Sequence, residues 1–140
     1  MKGQTLIIQF ILFFLIGFSL FASIAFFFKY QSNLFKDDII KYNLKLINGY
    51  MSVVALTEAV SCKQCDYANI VAILPSTAAG SFFEIGMNTT FGLNTSVPMS
   101  QDVTTSIYNL NSSYTLSGTS ASTKPISITF IKAQNYLGVS

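Results

Sequence analysis

The sequence has no histidine, no arginine and few charged residues of any kind. Charged residues make up 10% of its 140 residues, well below the roughly 25% of a typical soluble domain. Without histidine, the usual general base and the usual nitrogen ligand of zinc are missing. Without arginine, the chain cannot make the bidentate contacts that commonly recognise guanine and phosphate. A net charge of +2 is also too small to indicate nucleic acid. The composition therefore argues against an enzyme, a cofactor or metal site and a nucleic-acid partner.

One long apolar run stands near the start of the sequence. From Gly3 to Phe28 no residue is charged, and eight of the thirteen phenylalanines precede Lys29. A secretory signal has an apolar core of only about 7–15 residues. As a helix this run is about 39 Å long at about 1.5 Å per residue, which exceeds a hydrocarbon slab of about 30 Å. We expect residues 4–28 to form a transmembrane helix.

The following segment, residues 29–61, predicts an amphipathic continuation of that helix. Its apolar residues recur at steps of three and four and so share one face: Ile40, Leu44, Ile47, Met51 and Val54. Asp37 precedes Lys41 by four residues, the favourable acid-then-base order. No proline occurs before Pro75, so the two segments can form one helix, with Gly49 as its weakest point.

Residues 62–140 predict a small β domain. Runs of β-branched and aromatic residues alternate with proline, glycine, asparagine and serine: ANIVAIL, GSFFEIGM, TSIYNL, SYTLSGT and PISITFIKA. The serine- and threonine-rich stretch 117–125 predicts a single loop. The expected fold class is α+β, with a long N-terminal hydrophobic helix followed by a small antiparallel β-sandwich or barrel-like domain.

The two cysteines form a Cys62-x-x-Cys65 motif at the junction of the helix and the β domain. A thioredoxin-type site follows a strand and opens a helix, whereas this pair follows a helix. A tetrahedral zinc site needs four ligands, and the chain offers two sulfurs and no imidazole. We favour a structural disulfide over free thiols, which requires an oxidising compartment. Its expected role is to fix the angle at which the helix leads into the β domain.

Three Asn-x-Ser/Thr sequons lie in the β domain, at Asn88, Asn94 and Asn111. Their clustering, with none in the helix, favours N-glycosylation and an external location. The alternative is that these asparagines are polar turn residues.

The Lys2-Gly3-Gln4 junction ahead of the apolar helix resembles the class III leader of archaeal type IV pilin-like proteins and archaellins. The resemblance implies that a prepilin peptidase cuts after Gly3, so that residues 1–3 are a leader and Gln4 begins the mature chain. It also implies that the helix first anchors the subunit in the membrane. A membrane assembly platform then packs it with its copies into the core of an extracellular filament, a helical homopolymer with the β domain outward. Bacterial type IV pilins carry a glutamate at the fifth mature position, where this chain has Ile8.

Small residues within the apolar run agree with close packing of helices, because they let helix backbones approach one another. They are Gly17, Ser19, Ala22, Ser23 and Ala25. The alternative function is a membrane-anchored β-domain accessory protein that binds a surface layer or a filament motor. The lysines that follow the apolar run would by themselves place the β domain in the cytoplasm, whereas the leader, the sequons and the cysteine pair favour the cell surface.

Overall fold

A computed structural model describes the chain apart from Met1, Lys63, Tyr108, Asn109 and the side chains of residues 2–5 and of Asn111. One helix, α1, runs from Lys2 to Ser61, so the apolar and amphipathic segments form a single helix as expected. The chain divides into two compact units, Met1–Lys36 and Asp37–Ser140. The later part of α1 therefore belongs to the same unit as the β structure.

The first unit is an apolar helix that does not bury its side chains. Between Leu6 and Phe28 its large apolar side chains are 49% to 76% exposed. By length and composition α1 can cross a membrane. The charge-free stretch up to Phe28 is the part that matches the hydrocarbon thickness of about 30 Å.

Among the residues that the structure describes, eight strands in two four-stranded sheets follow α1 in the second unit, which gives the chain the expected α+β fold. The strands are β1 (Tyr67–Ala72), β2 (Glu84–Asn88), β3 (Gly92–Ser96), β4 (Asp102–Thr105), β5 (Thr115–Ser117), β6 (Thr119–Ala121), β7 (Ile126–Ile131) and β8 (Tyr136–Val139). Their orders are β1-β7-β8-β5 and β4-β3-β2-β6. A short helix, α2 (Leu110–Ser113), and a 3-10 turn at Lys132–Gln134 complete the unit.

The sheets are antiparallel except at one edge. β5 pairs with β8 in parallel, with Leu116 opposite Leu137, which the antiparallel expectation did not include. This pairing is possible because β5 and β8 are separated by β6, β7 and the 3-10 turn, long enough for the crossover that parallel neighbours require.

The core of the second unit lies between α1 and the two sheets. The predicted helix face is buried at Ile40, Leu44, Ile47 and Met51, while Val54 is half-buried. β7 buries alternate residues, as the pattern PISITFI indicates. These side chains join the inner faces of both sheets in one hydrophobic cluster. At about 25 cal/mol per Å² of apolar surface removed from water, this cluster is the main source of the unit's stability.

Two segments differ from the expected strands and loops. The run TSIYNL (105–110) predicts a strand, but β4 ends at Thr105 and α2 begins at Leu110. The stretch 117–125 is not one loop, because it contains β6, which pairs with β2 through Ser120 opposite Ile85. Its serine and threonine residues give no apolar periodicity that would predict this strand, so its position is set by pairing with a distant segment.

Candidate functional site

The expected cleavage junction lies inside the first turns of α1. Gly3 and Gln4 belong to the helix, but the side chains of residues 2–5 lie outside the part that the structure describes. Cleavage after Gly3 therefore stays a prediction.

The small residues of the apolar run form one patch with one exception. Ala22 and Ser23 follow Ser19 by three and four residues, so these three share a helix face. Ala25 lies at the edge of that face, three residues after Ala22. Gly17 lies on the opposite side, and apart from its chain neighbours and the adjacent helix backbone no described atom lies within 4 Å of a Cβ built there. Ala22 is half-buried by its own helix, whereas the large side chains around it are exposed. The patch thus consists of small side chains within a surface that is rich in exposed phenylalanine.

A buried polar cluster on Asn48 joins α1 to the β4-β3-β2-β6 sheet. The Asn48 Nδ2 donates to the Val103 carbonyl oxygen at 2.7 Å and to the Thr105 Oγ1 at 3.2 Å. The Thr95 hydroxyl donates to the Asn48 Oδ1. Removing one partner of such a buried group costs about 1–3 kcal/mol. Asn48 therefore fixes the rotation and register of this part of α1 on the sheet, a role that its local sequence does not reveal.

The cysteine pair forms a disulfide, in agreement with the preferred interpretation. The Cys62 and Cys65 Cα atoms are 4.9 Å apart, and the bond lies between the end of α1 at Ser61 and the start of β1 at Tyr67. The Cys62 N–H continues the helix by donating to the Glu58 carbonyl oxygen at 2.9 Å. Among the described residues, no group of three or more His, Cys, Asp or Glu side chains is arranged to hold a metal. The cross-link thus constrains the junction itself.

Glu58 is a buried carboxylate on the core face of α1, a turn before the disulfide. Its side chain is 2% exposed, and within the described part of the chain neither carboxylate oxygen has a hydrogen-bond partner. Burial raises the pKa of Glu58 from 4.5 to about 7, because a charged group loses hydration in an apolar surrounding. Sequence reasoning missed this residue, since a single glutamate on a helix is normally a solvated surface group.

The three sequons are presented differently. Asn88 is exposed at the end of β2, where its Oδ1 accepts a hydrogen bond from the Thr90 N–H at 2.8 Å. Asn94 lies in the middle of β3, half-buried between β2 and β4, and its Oδ1 is buried without a partner among the described residues. Asn111 belongs to α2, but its side chain lies outside the described residues. Asn88 is therefore more accessible to a modifying enzyme than Asn94.

Comparison with known proteins assigns no family. A scan against protein-family models finds no match, and searches of the curated proteins and of the solved structures find none either.

Proposed function

We propose that this chain is a structural subunit of an extracellular, type IV pilus-like or archaellum-like filament, assembled through its N-terminal hydrophobic helix. The observation that carries the proposal is the apolar surface of the first unit, where every large side chain from Leu6 to Phe28 is about half exposed or more. Burying one such side chain contributes roughly 1.5–3 kcal/mol. The segment therefore requires an apolar environment, which a bilayer supplies before assembly and neighbouring copies supply after it.

The second unit supports this use because it has a core of its own. Its cluster draws on α1 from Ile40 onward and on both sheets, and among the described residues no member comes from the first unit. The β domain can then stay folded whether the apolar segment is surrounded by lipid or by protein. The Cys62–Cys65 disulfide and the exposed sequon at Asn88 agree with an oxidising, extracellular location.

A membrane-anchored accessory protein is the second candidate. The observation in its favour is a group of exposed lysines on α1 after the apolar stretch: Lys29, Lys36, Lys41 and Lys45. Lysines that flank a membrane segment are typical of its cytoplasmic side. Such a protein would keep residues 4–28 in the bilayer permanently. It would not need close contacts between copies of this helix.

Ala22→Leu separates the two candidates. The substitution keeps the segment apolar, so membrane insertion is retained, but it enlarges a small side chain where helices would meet. Overpacking a close helix contact costs about 1–3 kcal/mol. For a filament subunit we expect the variant to accumulate in the membrane and to yield few surface filaments. Ile16→Leu, which conserves volume on the same segment, is the control and should assemble as the wild type does.

Membrane fractionation measures the protein that remains in the membrane, and electron microscopy of sheared surface material measures the filaments. Equal amounts of filament from Ala22→Leu and from the wild type would contradict close helix packing at this patch. Wild-type protein that stays wholly in the membrane, in cells that carry no filaments of this chain, would favour the accessory protein.

A further inference from the structure

Strand β1 is the edge of its sheet and exposes apolar side chains to solvent. It pairs with β7 on one side and stands last in the strand order on the other. Along β1 and just after it, large apolar side chains remain accessible: Tyr67 at 60%, Ile70 at 40%, Val71 at 57% and Ile73 at 89%. The other described elements therefore leave this edge uncovered.

The backbone of β1 presents unpaired hydrogen-bonding groups along the free edge. Ser127, on β7, exchanges two hydrogen bonds with Ser140, at 2.9 and 3.0 Å, and so turns its backbone away from β1. Val71 lies opposite Ser127, so the N–H and C=O groups of Val71 point to the free edge, as do those of Asn69 and Tyr67 at steps of two. Among the described residues these groups have no backbone partner. Such a row of donors and acceptors fits an extended strand.

This edge lacks the features that usually prevent strand edges from pairing. Natural edge strands are typically very short, charged, bulged or interrupted by proline. β1 has six residues, and the chain has no charge from Tyr67 to Phe83 and no proline before Pro75. The other edge strands that the structure describes, β4, β5 and β6, have three or four residues. β1 is therefore the edge at which a further strand can pair most readily.

The side chains of β1 match those of a second β1 in antiparallel order. The outward backbone groups of the two strands meet when the pair is centred on Asn69. On the outer face Tyr67 then lies opposite Val71 of the second copy, an aromatic and β-branched pair of the kind that stabilises sheets. On the inner face Ala68 lies opposite Ile70 of the second copy, a small side chain beside a large one. This match of β1 to itself indicates a second copy of the chain as the partner.

We propose that β1 pairs edge to edge with β1 of a second copy, antiparallel and centred on Asn69. The β1-β7-β8-β5 sheets of the two copies then form one continuous sheet. The contact is symmetric and closes on itself, so it joins two copies and does not propagate. Subunits of one filament point the same way, so in a filament this contact links neighbouring filaments, a consequence that rests on the proposed function.

Disulfide trapping in the full chain, purified in detergent micelles, tests the pairing. In Asn69→Cys the two new thiols face each other, because the Cα atoms of a hydrogen-bonded antiparallel pair lie about 5.5 Å apart, within the span of a disulfide. The native cysteines are already disulfide-bonded. After mild oxidation with copper phenanthroline, we expect a covalent dimer whose cross-link mass spectrometry assigns to position 69 of both copies.

Thr129→Cys is the matched control. Thr129 lies beside Asn69 on the neighbouring strand β7, so a random encounter between copies reaches both positions. In the proposed pair, however, the two copies of Thr129 are separated by three strand spacings, about 14 Å. We expect about tenfold less covalent dimer from Thr129→Cys than from Asn69→Cys, since about 14 Å is beyond the reach of a disulfide.

The direction of pairing is tested by two further variants. In the antiparallel pair Tyr67 faces Val71 of the second copy, so a mixture of Tyr67→Cys and Val71→Cys chains should give the mixed dimer, whereas either variant alone should give little. Parallel pairing would instead cross-link Tyr67→Cys to itself, and that result would contradict the antiparallel arrangement.

Val71→Pro checks that the backbone edge carries the contact. Proline removes the N–H that points to the free edge and leaves the hydrogen bonds between β1 and β7 in place, as is tolerated in edge strands. In this background the Asn69→Cys dimer yield should fall about tenfold, the equivalent of about 1.4 kcal/mol. Val71→Thr keeps the N–H and the β-branched shape and should leave the yield unchanged. Thermal unfolding of both variants measures whether the second unit stays folded.

The outcomes separate this inference from the proposed function. Equal yields from Asn69→Cys and Thr129→Cys overturn the pairing even where filaments of this chain are present, and this comparison needs no proline variant. An Asn69→Cys yield that Val71→Pro leaves unchanged also overturns it. Dimers through position 69, from cells that carry no filaments of this chain, support the pairing and contradict the filament.

Discussion

Glu58→Gln tests the buried carboxylate most sharply, because the substitution conserves shape and removes only the ability to ionise. In the folded chain Glu58 is 2% exposed and its carboxylate oxygens have no partner among the described residues. Its pKa is raised from 4.5 to about 7 by burial. Glu58 lies in the second unit, well beyond the apolar stretch that ends at Phe28.

The sign and size of the effect follow from proton linkage. The unfolded chain releases the Glu58 proton near pH 4.5 and the folded chain near pH 7, so the unfolded state binds fewer protons between these values and stability falls as the pH rises. The free energy of unfolding should be highest below pH 4.5, decline up to about pH 7 and level off above it. With about 1.4 kcal/mol for each pKa unit, the total loss is about 3 kcal/mol.

Urea unfolding of the full chain in detergent micelles, followed by tyrosine fluorescence at pH 4.5 and pH 8, measures this loss. Tyr114 packs edge-on against Phe130, with ring centroids 5.5 Å apart, and so reports on the core of the second unit. Glu58→Gln should be about as stable as the wild type at pH 4.5 and about 3 kcal/mol more stable at pH 8. Glu84→Gln, which removes an exposed carboxylate, should leave the wild-type profile unchanged. A wild-type stability that is equal at the two pH values, or a Glu58→Gln protein that keeps the decline, would refute the reasoning.

Three further outcomes are expected. Peptide mass spectrometry of the surface form should find Gln4 at the amino terminus, and an uncut terminus there would contradict leader cleavage. Cys62→Ser should lower the free energy of unfolding by about 2 kcal/mol on the loop-entropy model and release no metal, whereas a metal lost only from this variant would show that the pair is a ligand site. Gly92→Ala should lower the free energy of unfolding by about 2 kcal/mol or more, because Gly92 has φ +81° and a Cβ there would lie 2.6 Å from the Thr105 carbonyl oxygen. Gly80→Ala, at φ +82° with open space around it, should lower it less. Equal losses of stability for the two variants in thermal unfolding would argue against the steric cause.

The long helix and its core face are readable from the sequence because their signals are local. An uninterrupted apolar run and a recurrence at three and four residues specify a helix without reference to the rest of the chain. Ile40, Leu44, Ile47 and Met51 are buried as that recurrence predicts. The alternation in PISITFI specifies β7 in the same way.

The remaining features depend on partners that are distant in sequence. β6 is built from Thr119, Ser120 and Ala121 and exists because β2 pairs with it, so its composition alone indicates a loop. Asn48 becomes structural only when β3 and β4 bring hydroxyl and carbonyl groups to it.

Electron microscopy of sheared cell-surface material, with mass spectrometry of the purified filaments, tests the filament proposal most directly. We expect filaments in which this chain is present, begins at Gln4 and retains the Cys62–Cys65 disulfide. Surface material without the chain, together with a full-length form that begins at Met1 and remains in the membrane, would contradict a filament subunit.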